Sequence, residues 1–356
     1  MLVVTVDKDN IDECLLHEPA RIIREGGTVA FPTETVYGLG ANALIKSAVD
    51  DIFKAKGRPN DNPLIVHISD ADQVNELVSE IPENAKILMD KFWPGPLTII
   101  MKKSDIVPEN VTAGLDTVGI RFPENAVCRA FLHIAGVPVA APSANTSGKP
   151  SPTMAEHVIS DLDGKIDAVI DGGSCRFGLE STIVDVSGDV PMLLRPGSVT
   201  VEQLRSALGR VDIDPAVMSK PKPGLIAKAP GMKYKHYSPN AEVYTVLGDS
   251  DFVSDYINKE IMRFKAEGKR VGAMVYSETL PKIKNADILK NLGGTKEGAA
   301  AELFFDLRDF DRLGADVVFA EGTSNEGVGL AVSNRLNKAA GYKIISKDSS
   351  DESTQK

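Results

Sequence analysis

Short apolar runs rich in β-branched residues recur along the chain, with segments of helical spacing between them. That alternation is the strongest constraint on the fold. LIVHI, GPLTIIMKK, VGIRF, VPVAAP, DAVIDGG and TIVDV read as strands. GGTVAFPTE reads as a turn followed by a strand ending at Pro32. SAVDDIFKAKGR carries Val49, Ile52 and Phe53 at helical spacing and stops at Gly57 before Pro59. PENAKILMDKFW is an amphipathic helix stopped by Pro94, and VTVEQLRSAL is a helix capped by Thr200. The glycines of VYGLGAN predict tight backbone geometry near a site. Because the pieces are irregularly spaced, the expected fold is α/β with a twisted, mixed, open sheet.

A second pattern starts after Pro239. AEVYTVLG, RVGAMVY and ADVVFAEG are strands, alternating with helices in FVSDYINKEIMRFKAEG, EGAAAELFFDLRDFDRLG and SNEGVGLAVSNRLNKAA. This predicts a smaller, parallel, Rossmann-like α/β domain. No GxGxxG follows its first strand, so the dinucleotide fingerprint is missing. Between the two patterns, Val211 to Pro239 holds five Pro, two Gly and five Lys with little periodicity. It reads as a linker or lid loop. The expected organisation is a catalytic domain over 1–210, the linker over 211–240, the Rossmann-like domain over 241–346 and a disordered tail over 347–356. Two domains suit a chain of 356 residues.

Charge excludes some functions. The formal net charge is −10. Residues 1–215 hold 19 Lys and Arg against 31 Asp and Glu, a balance of −12. Nucleic-acid binders usually carry a basic surplus. Cys14, Cys128 and Cys175 are few, far apart and without CxxC spacing, so buried free thiols are expected and neither disulfides nor a zinc site. The N-terminus does not read as a signal peptide and no segment has the apolar length of a membrane helix, so a soluble cytoplasmic protein with no membrane partner is expected.

Polar residues gather at the strand ends. Lys56 and Arg58 close a predicted helix, where they either complement its dipole or clamp phosphate. Asn62 and His67 follow them. Thr33, Glu34 and Thr35 leave another strand, a position that lines crevices in α/β folds. Thr117 and Arg121 flank VGI, and Arg121 suits an anionic ligand such as an amino-acid carboxylate. Ser181, Thr182 and Arg195 sit at further strand edges. The loop APSANTSGKPSPT offers hydroxyls, an amide and backbone N–H groups to phosphates or ribose, or is a plain surface loop. There is no GxxxxGK[ST], Ser-His-Asp set, cysteine nucleophile setting or metal-ligand cluster. This set of groups positions reactants and stabilises phosphate charge.

Together FPTETVYGLG, KAKGRPNDNPLIVH, WPGPLT, TVGIRFP, APSANTSGKPSPT, STIVD and LRPG, in that order from Gly26 to Gly197, resemble the YrdC-type threonylcarbamoyl-AMP synthases. APGMKYKHYSP and the second domain resemble the longer, two-domain form of that family. The resemblance implies that L-threonine, bicarbonate and ATP give threonylcarbamoyl-adenylate, pyrophosphate and water. It further implies Mg²⁺ with the ATP, and downstream proteins that transfer the threonylcarbamoyl group to tRNA adenosine beside the anticodon. Direct tRNA binding is left open. It places Thr35, His67, Arg121 and Ser181 on threonine. It places Arg58, Asn62, Thr117, the backbone of Ala141, Ser143, Asn145, Ser151, Arg195 and Tyr237 on ATP. Lys56 and Arg58 would be catalytic, with Lys56 and Asn145 on the phosphates, and Tyr237 would form part of a lid. No protein ligand to a metal is implied. An RNA-binding or ribosome-associated factor using the same cavity is the alternative, which the −12 balance disfavours. The related carbamoyl-transfer enzymes of hydrogenase maturation carry Cys-rich zinc modules, unlike this chain.

Overall fold

The computed structural model describes residues 1–220, 227–233 and 237–347. Two compact units emerge, Met1–Ser147 with Ser151–Tyr234, and Gly148–Pro150 with Lys235–Lys356. Of the expected disordered tail, residues 348–356 lie outside the described residues.

The first unit is built on strands β1 (Leu2–Thr5), β2 (Val29–Phe31), β3 (Gly38–Asn42), β4 (Ile65–His67), β5 (Leu97–Lys102), β6 (Thr117–Arg121), β7 (Val139–Ala141), β8 (Ala168–Asp171), β9 (Thr182–Asp185), β10 (Met192–Arg195) and β11 (Asp212–Ile213). They form one 11-stranded sheet in the order β1-β8-β2-β3-β7-β4-β6-β5-β9-β10-β11. Five of its neighbouring pairs are parallel and five antiparallel, which is the expected mixed sheet. The helices His17–Arg24 and Ala126–Ala135 cover β2, β7 and β8, and bury Leu16, Ile23, Phe31, Phe131 and Ile170 between them. Thr200 caps the helix Val201–Leu208 through a capping box with Gln203, as the sequence predicts.

VYGLGAN is more regular than expected, since Gly38–Asn42 is the buried strand β3. Its glycines are there for space. The Phe31 ring lies across β3, and a Cβ on Gly40 would stand 2.5 Å from Val139 Cγ1 and 2.7 Å from the Phe31 ring. Among the expected thiols, Cys128 is buried and Cys175 is partly so, but Cys14 is exposed, which corrects that expectation.

The linker expectation also needs correction. Residues 211–220 contain β11 and the helix Pro215–Met218. Ala227, Ala229 and Met232 are buried against Ile65, Ile100, Ile183 and Leu194 of the first sheet. Alanine and methionine supplied enough apolar surface to pack the segment down, although proline interrupts any period.

The second unit has β12 (Glu242–Leu247), β13 (Val271–Val275), β14 (Ile288–Asn291), β15 (Val317–Glu321) and β16 (Ile344–Ser346) in one parallel sheet. The parallel α/β expectation holds. The order β14-β13-β15-β12-β16 places β15 between β12 and β13, where the Rossmann order has the first two strands adjacent.

Overpacking a well-filled core typically costs about 1–3 kcal/mol. Gly40→Ala is expected to lower the unfolding free energy of the chain by about that amount, read as a shift in the urea midpoint.

Candidate active site

Strand register assembles the site. Across β5, β6 and β4, Thr98 is paired with Arg121 and Arg121 with His67. Paired residues share a sheet face, so the three side chains stand in a row. Two positions back along β6, Gly119 and then Thr117 lie on that same face.

Arg121 is 3% exposed. Its Nη2 donates to Glu34 Oε1 at 2.7 Å, while its buried Nε has no partner among the described residues. A buried guanidinium N–H without an acceptor carries a desolvation cost, and a ligand carboxylate would relieve it. His67 is buried with Nδ1 3.2 Å from the Ile65 carbonyl and its ring edge-on to Phe31. Burial, and then the positive charge of Arg121, push its pKa down to about 3, so the ring is neutral at physiological pH.

Thr35 is fully buried beside Thr33, with 2.8 Å between their hydroxyl oxygens. Thr33 spends its own proton on the Val36 carbonyl at 2.6 Å. Thr35 therefore donates to Thr33 and keeps acceptor lone pairs for a ligand amine or hydroxyl. On the other flank, the Ser181 hydroxyl lies 2.8 Å from the Thr98 hydroxyl and accepts from Arg195 Nη2 at 3.1 Å. Arg195 also donates to the carbonyls of Ser181, at 3.0 Å, and Pro230, at 3.4 Å.

The helix Lys46–Lys56 ends at Gly57 with φ +59, a left-handed cap that turns the chain into the Arg58–Pro63 loop. Arg58 Nη2 donates to the carbonyls of Asn62, at 3.3 Å, and Pro63, at 3.2 Å. Asn62 is 1% exposed, and neither atom of its amide has a partner among the described residues. Thr117 lines a narrow pocket with Pro63, Thr98, Gly119, Lys228 and Pro230. The Lys233–Asp61 ion pair ties the packed-down segment to the Arg58–Pro63 loop.

Lys56 is placed differently from a bare phosphate ligand. Its buried ammonium donates to the carbonyl of Ser143 at 2.6 Å and to that of Asn145. Lys56 therefore fastens the loop after β7. Within that loop, Ser143 Oγ donates to Asn145 Oδ1 at 2.5 Å, and Asn145 Nδ2 donates to the Thr146 carbonyl. Ala141 ends β7 beside Ile65 of β4. Ser151 is buried and donates to Glu180 Oε1 at 2.5 Å. Tyr237 lies in the second unit, with φ +64 and its ring stacked 5.0 Å from Phe304.

Register unites Thr98, Arg121 and His67, a hydroxyl contact to Thr98 adds Ser181, and Thr35 follows in the chain the Glu34 that pairs with Arg121. Arg58 and Asn62 share their loop, while Thr117 lines the pocket with Pro63 and Thr98. Thr98, Glu34 and Glu180 hold site residues in place and were not assigned roles from sequence. Thr98 was hidden inside an apolar strand pattern. Glu34 stood out only as a polar residue leaving β2.

Over residues 21–197 the chain matches the family model described as "Telomere recombination", and over 199–341 the model described as "Threonylcarbamoyl-AMP synthase, C-terminal domain". The threonylcarbamoyl-AMP synthase of Pyrococcus abyssi is 50% identical over 97% of this chain and 99% of its own. The chain belongs to this family. The threonylcarbamoyl-AMP synthase of Bacillus subtilis is 45% identical over 95% of this chain and 97% of its own. The solved structure of P. abyssi Sua5 complexed with L-threonine matches with a TM-score of 0.93 at 50% identity, covering 97% and 99% of the two chains. The second family match begins before the helix Val201–Leu208, whereas the first compact unit runs to Tyr234. Residues 199–220 and 227–233 belong by sequence to the second domain's stretch and by packing to the first unit.

The neutral ring of His67 gives a pH prediction. An unfolded imidazole titrates near 6.5. The unfolded chain therefore takes up a proton there that the folded chain refuses until about pH 3. The stability contributed is full above pH 6.5 and is lost as pH falls from 6.5 toward 3. His67→Gln removes that linkage. Urea unfolding at pH 7 and pH 5 is expected to show a smaller loss of stability for the variant than for the wild type.

Proposed function

We infer that the chain is a threonylcarbamoyl-AMP synthase that joins L-threonine, bicarbonate and ATP into threonylcarbamoyl-adenylate, releasing pyrophosphate and water. One observation carries this. Among the described residues, two deeply buried groups of the first unit, Arg121 Nε at the end of β6 and the Asn62 amide in the Arg58–Pro63 loop, lack protein partners, in a chain that aligns over 97% of its length with the P. abyssi synthase. The first suits an amino-acid carboxylate and the second a nucleotide edge.

In this reading Arg121 takes the threonine carboxylate, with Thr35, His67 and Ser181 around the rest of the amino acid. The amine condenses with bicarbonate to a carbamate and water, and the carbamate oxygen attacks the ATP α-phosphorus, expelling pyrophosphate. Both reactants are anionic, so the fixed positive charges of Lys56, Arg58 and Arg195 offset their repulsion. Arg58, Asn62, Thr117, Ala141, Ser143, Asn145, Ser151 and Arg195 receive the nucleotide. Lys56 acts chiefly by holding the Ser143–Asn145 carbonyls, which shapes the loop. Tyr237 keeps its lid role as a proposal from the resemblance alone, because its ring is stacked on Phe304.

No group of three or more His, Cys, Asp or Glu gathers among the described residues. Mg²⁺ commonly keeps its waters and binds through substrate phosphates. The Ser143 hydroxyl and Asn145 amide oxygen fit a cation carried in on the triphosphate, where it would neutralise phosphate charge. The product is chemically suited to transfer onto tRNA adenosine by downstream proteins. Among the described residues no helix is long and apolar enough to cross a membrane.

Pyrophosphate release is expected only when ATP, threonine and bicarbonate are all present; release without threonine or without bicarbonate would contradict the assignment. Asn62→Ala tests the nucleotide half. Removing a buried, unsatisfied amide should leave urea stability unchanged or raised, while the KM for ATP rises about tenfold or more. A destabilised variant with normal ATP KM would mark Asn62 as structural only.

A further inference from the structure

Thr33, Glu34 and Thr35 leave β2 together, and the reaction as read so far uses only Thr35. Glu34 is buried to the same degree as the arginine it meets, with 4% of each side chain exposed. Its two oxygens face different elements. Oε1 accepts from Arg121 Nη2 at 2.7 Å at the end of β6. Oε2 accepts the backbone N–H of Glu124 at 3.2 Å and of Asn125 at 3.4 Å, where the helix Ala126–Ala135 begins. One carboxylate thus joins the turn after β2, the end of β6 and a helix start.

A guanidinium is a planar fork, so fixing one nitrogen restricts the direction of the others. With Nη2 on Glu34, the unpartnered Nε is the donor left buried for a ligand. We propose that Glu34 is the positioning residue of threonine recognition: it orients the Arg121 guanidinium so that Nε meets the amino-acid carboxylate. This rests on the reading that Arg121 binds threonine.

The chemistry requires a carboxylate of this length. Glutamate accepts on both oxygens, and donors stand on both sides. Glutamine has one acceptor oxygen, so its NH₂ faces either Arg121 or the backbone N–H pair. Aspartate keeps the charge and both acceptors but is one methylene shorter, and cannot span the same gap. Either change frees Arg121 to turn. Charge alone predicts the opposite for Glu34→Gln. A less neutralised Arg121 would hold threonine more tightly, so the direction of the change separates orientation from charge.

The test is steady-state pyrophosphate release by the full chain, with threonine varied at saturating ATP and bicarbonate. Both Glu34→Gln and Glu34→Asp are expected to raise the threonine KM about tenfold or more. The ATP KM should stay near the wild-type value, and kcat at saturating threonine should fall far less than kcat/KM. A threonine KM that is unchanged or lowered in both variants overturns the proposal. So does a collapse of kcat at unchanged threonine KM, which would make Glu34 a proton acceptor. A parallel rise in the ATP KM would mean general loss of the site, and overturns it too. Arg121→Lys, run alongside, separates the two levels. If it leaves the threonine KM unchanged, the reading of Arg121 itself fails. If it raises that KM and the Glu34 variants do not, only the present inference fails.

Discussion

A guanidinium buried in a β-sheet is the constraint around which the first unit is organised. Arg121 is 3% exposed. A charge so removed from water is tolerated only when paired and hydrogen-bonded. Glu34 supplies the pairing from a separate strand connection, which fixes the turn after β2 against the end of β6. Register then brings His67 and Thr98 beside Arg121, and Thr98 brings Ser181 and Arg195. Burial, and after it Arg121, lowers the basicity of His67, so its ring stays neutral and adds no second charge beside Arg121.

The half proposed for the nucleotide is held by a different device. Its loops have few apolar side chains and are fixed by backbone carbonyls. Lys56 reaches from a helix end to the Ser143 and Asn145 carbonyls, and Arg58 holds the carbonyls of Asn62 and Pro63. Cations that neutralise carbonyl dipoles keep their positive charge, so they can brace a loop and favour phosphate at the same time. In the proposed reading, Lys56 and Arg58 thereby serve both structure and chemistry.

Much of this was legible in the sequence. The short apolar runs located β4 to β9, because strands buried on both faces leave a continuous hydrophobic pattern. The helix ending at Gly57 and the Thr200 cap followed from local chemistry. Three kinds of feature were not legible. Gly38 and Gly40 read only as tight backbone geometry near a site, since their cause, the Phe31 ring, sits in another strand. The 227–232 segment read as linker, since its burial depends on a sheet face assembled from four other strands. Lys56 read as a phosphate ligand, since nothing local in sequence reveals two carbonyls 87 and 89 positions away. The candidate site residues were named through motif order. Their supports, Glu34, Thr98 and Glu180, needed coordinates because their partners lie far along the chain.

The central claim is that Arg121 Nε and the Asn62 amide await the two halves of one reaction. A crystal structure of the chain with L-threonine and a non-hydrolysable ATP analogue tests it most directly. The account predicts the threonine carboxylate at about hydrogen-bonding distance, 2.7–3.2 Å, from Arg121 Nε, with Arg121 still paired to Glu34. It also predicts the Asn62 amide bonded to the nucleotide. Threonine bound elsewhere, or bound with Arg121 Nε still without a partner, would contradict it.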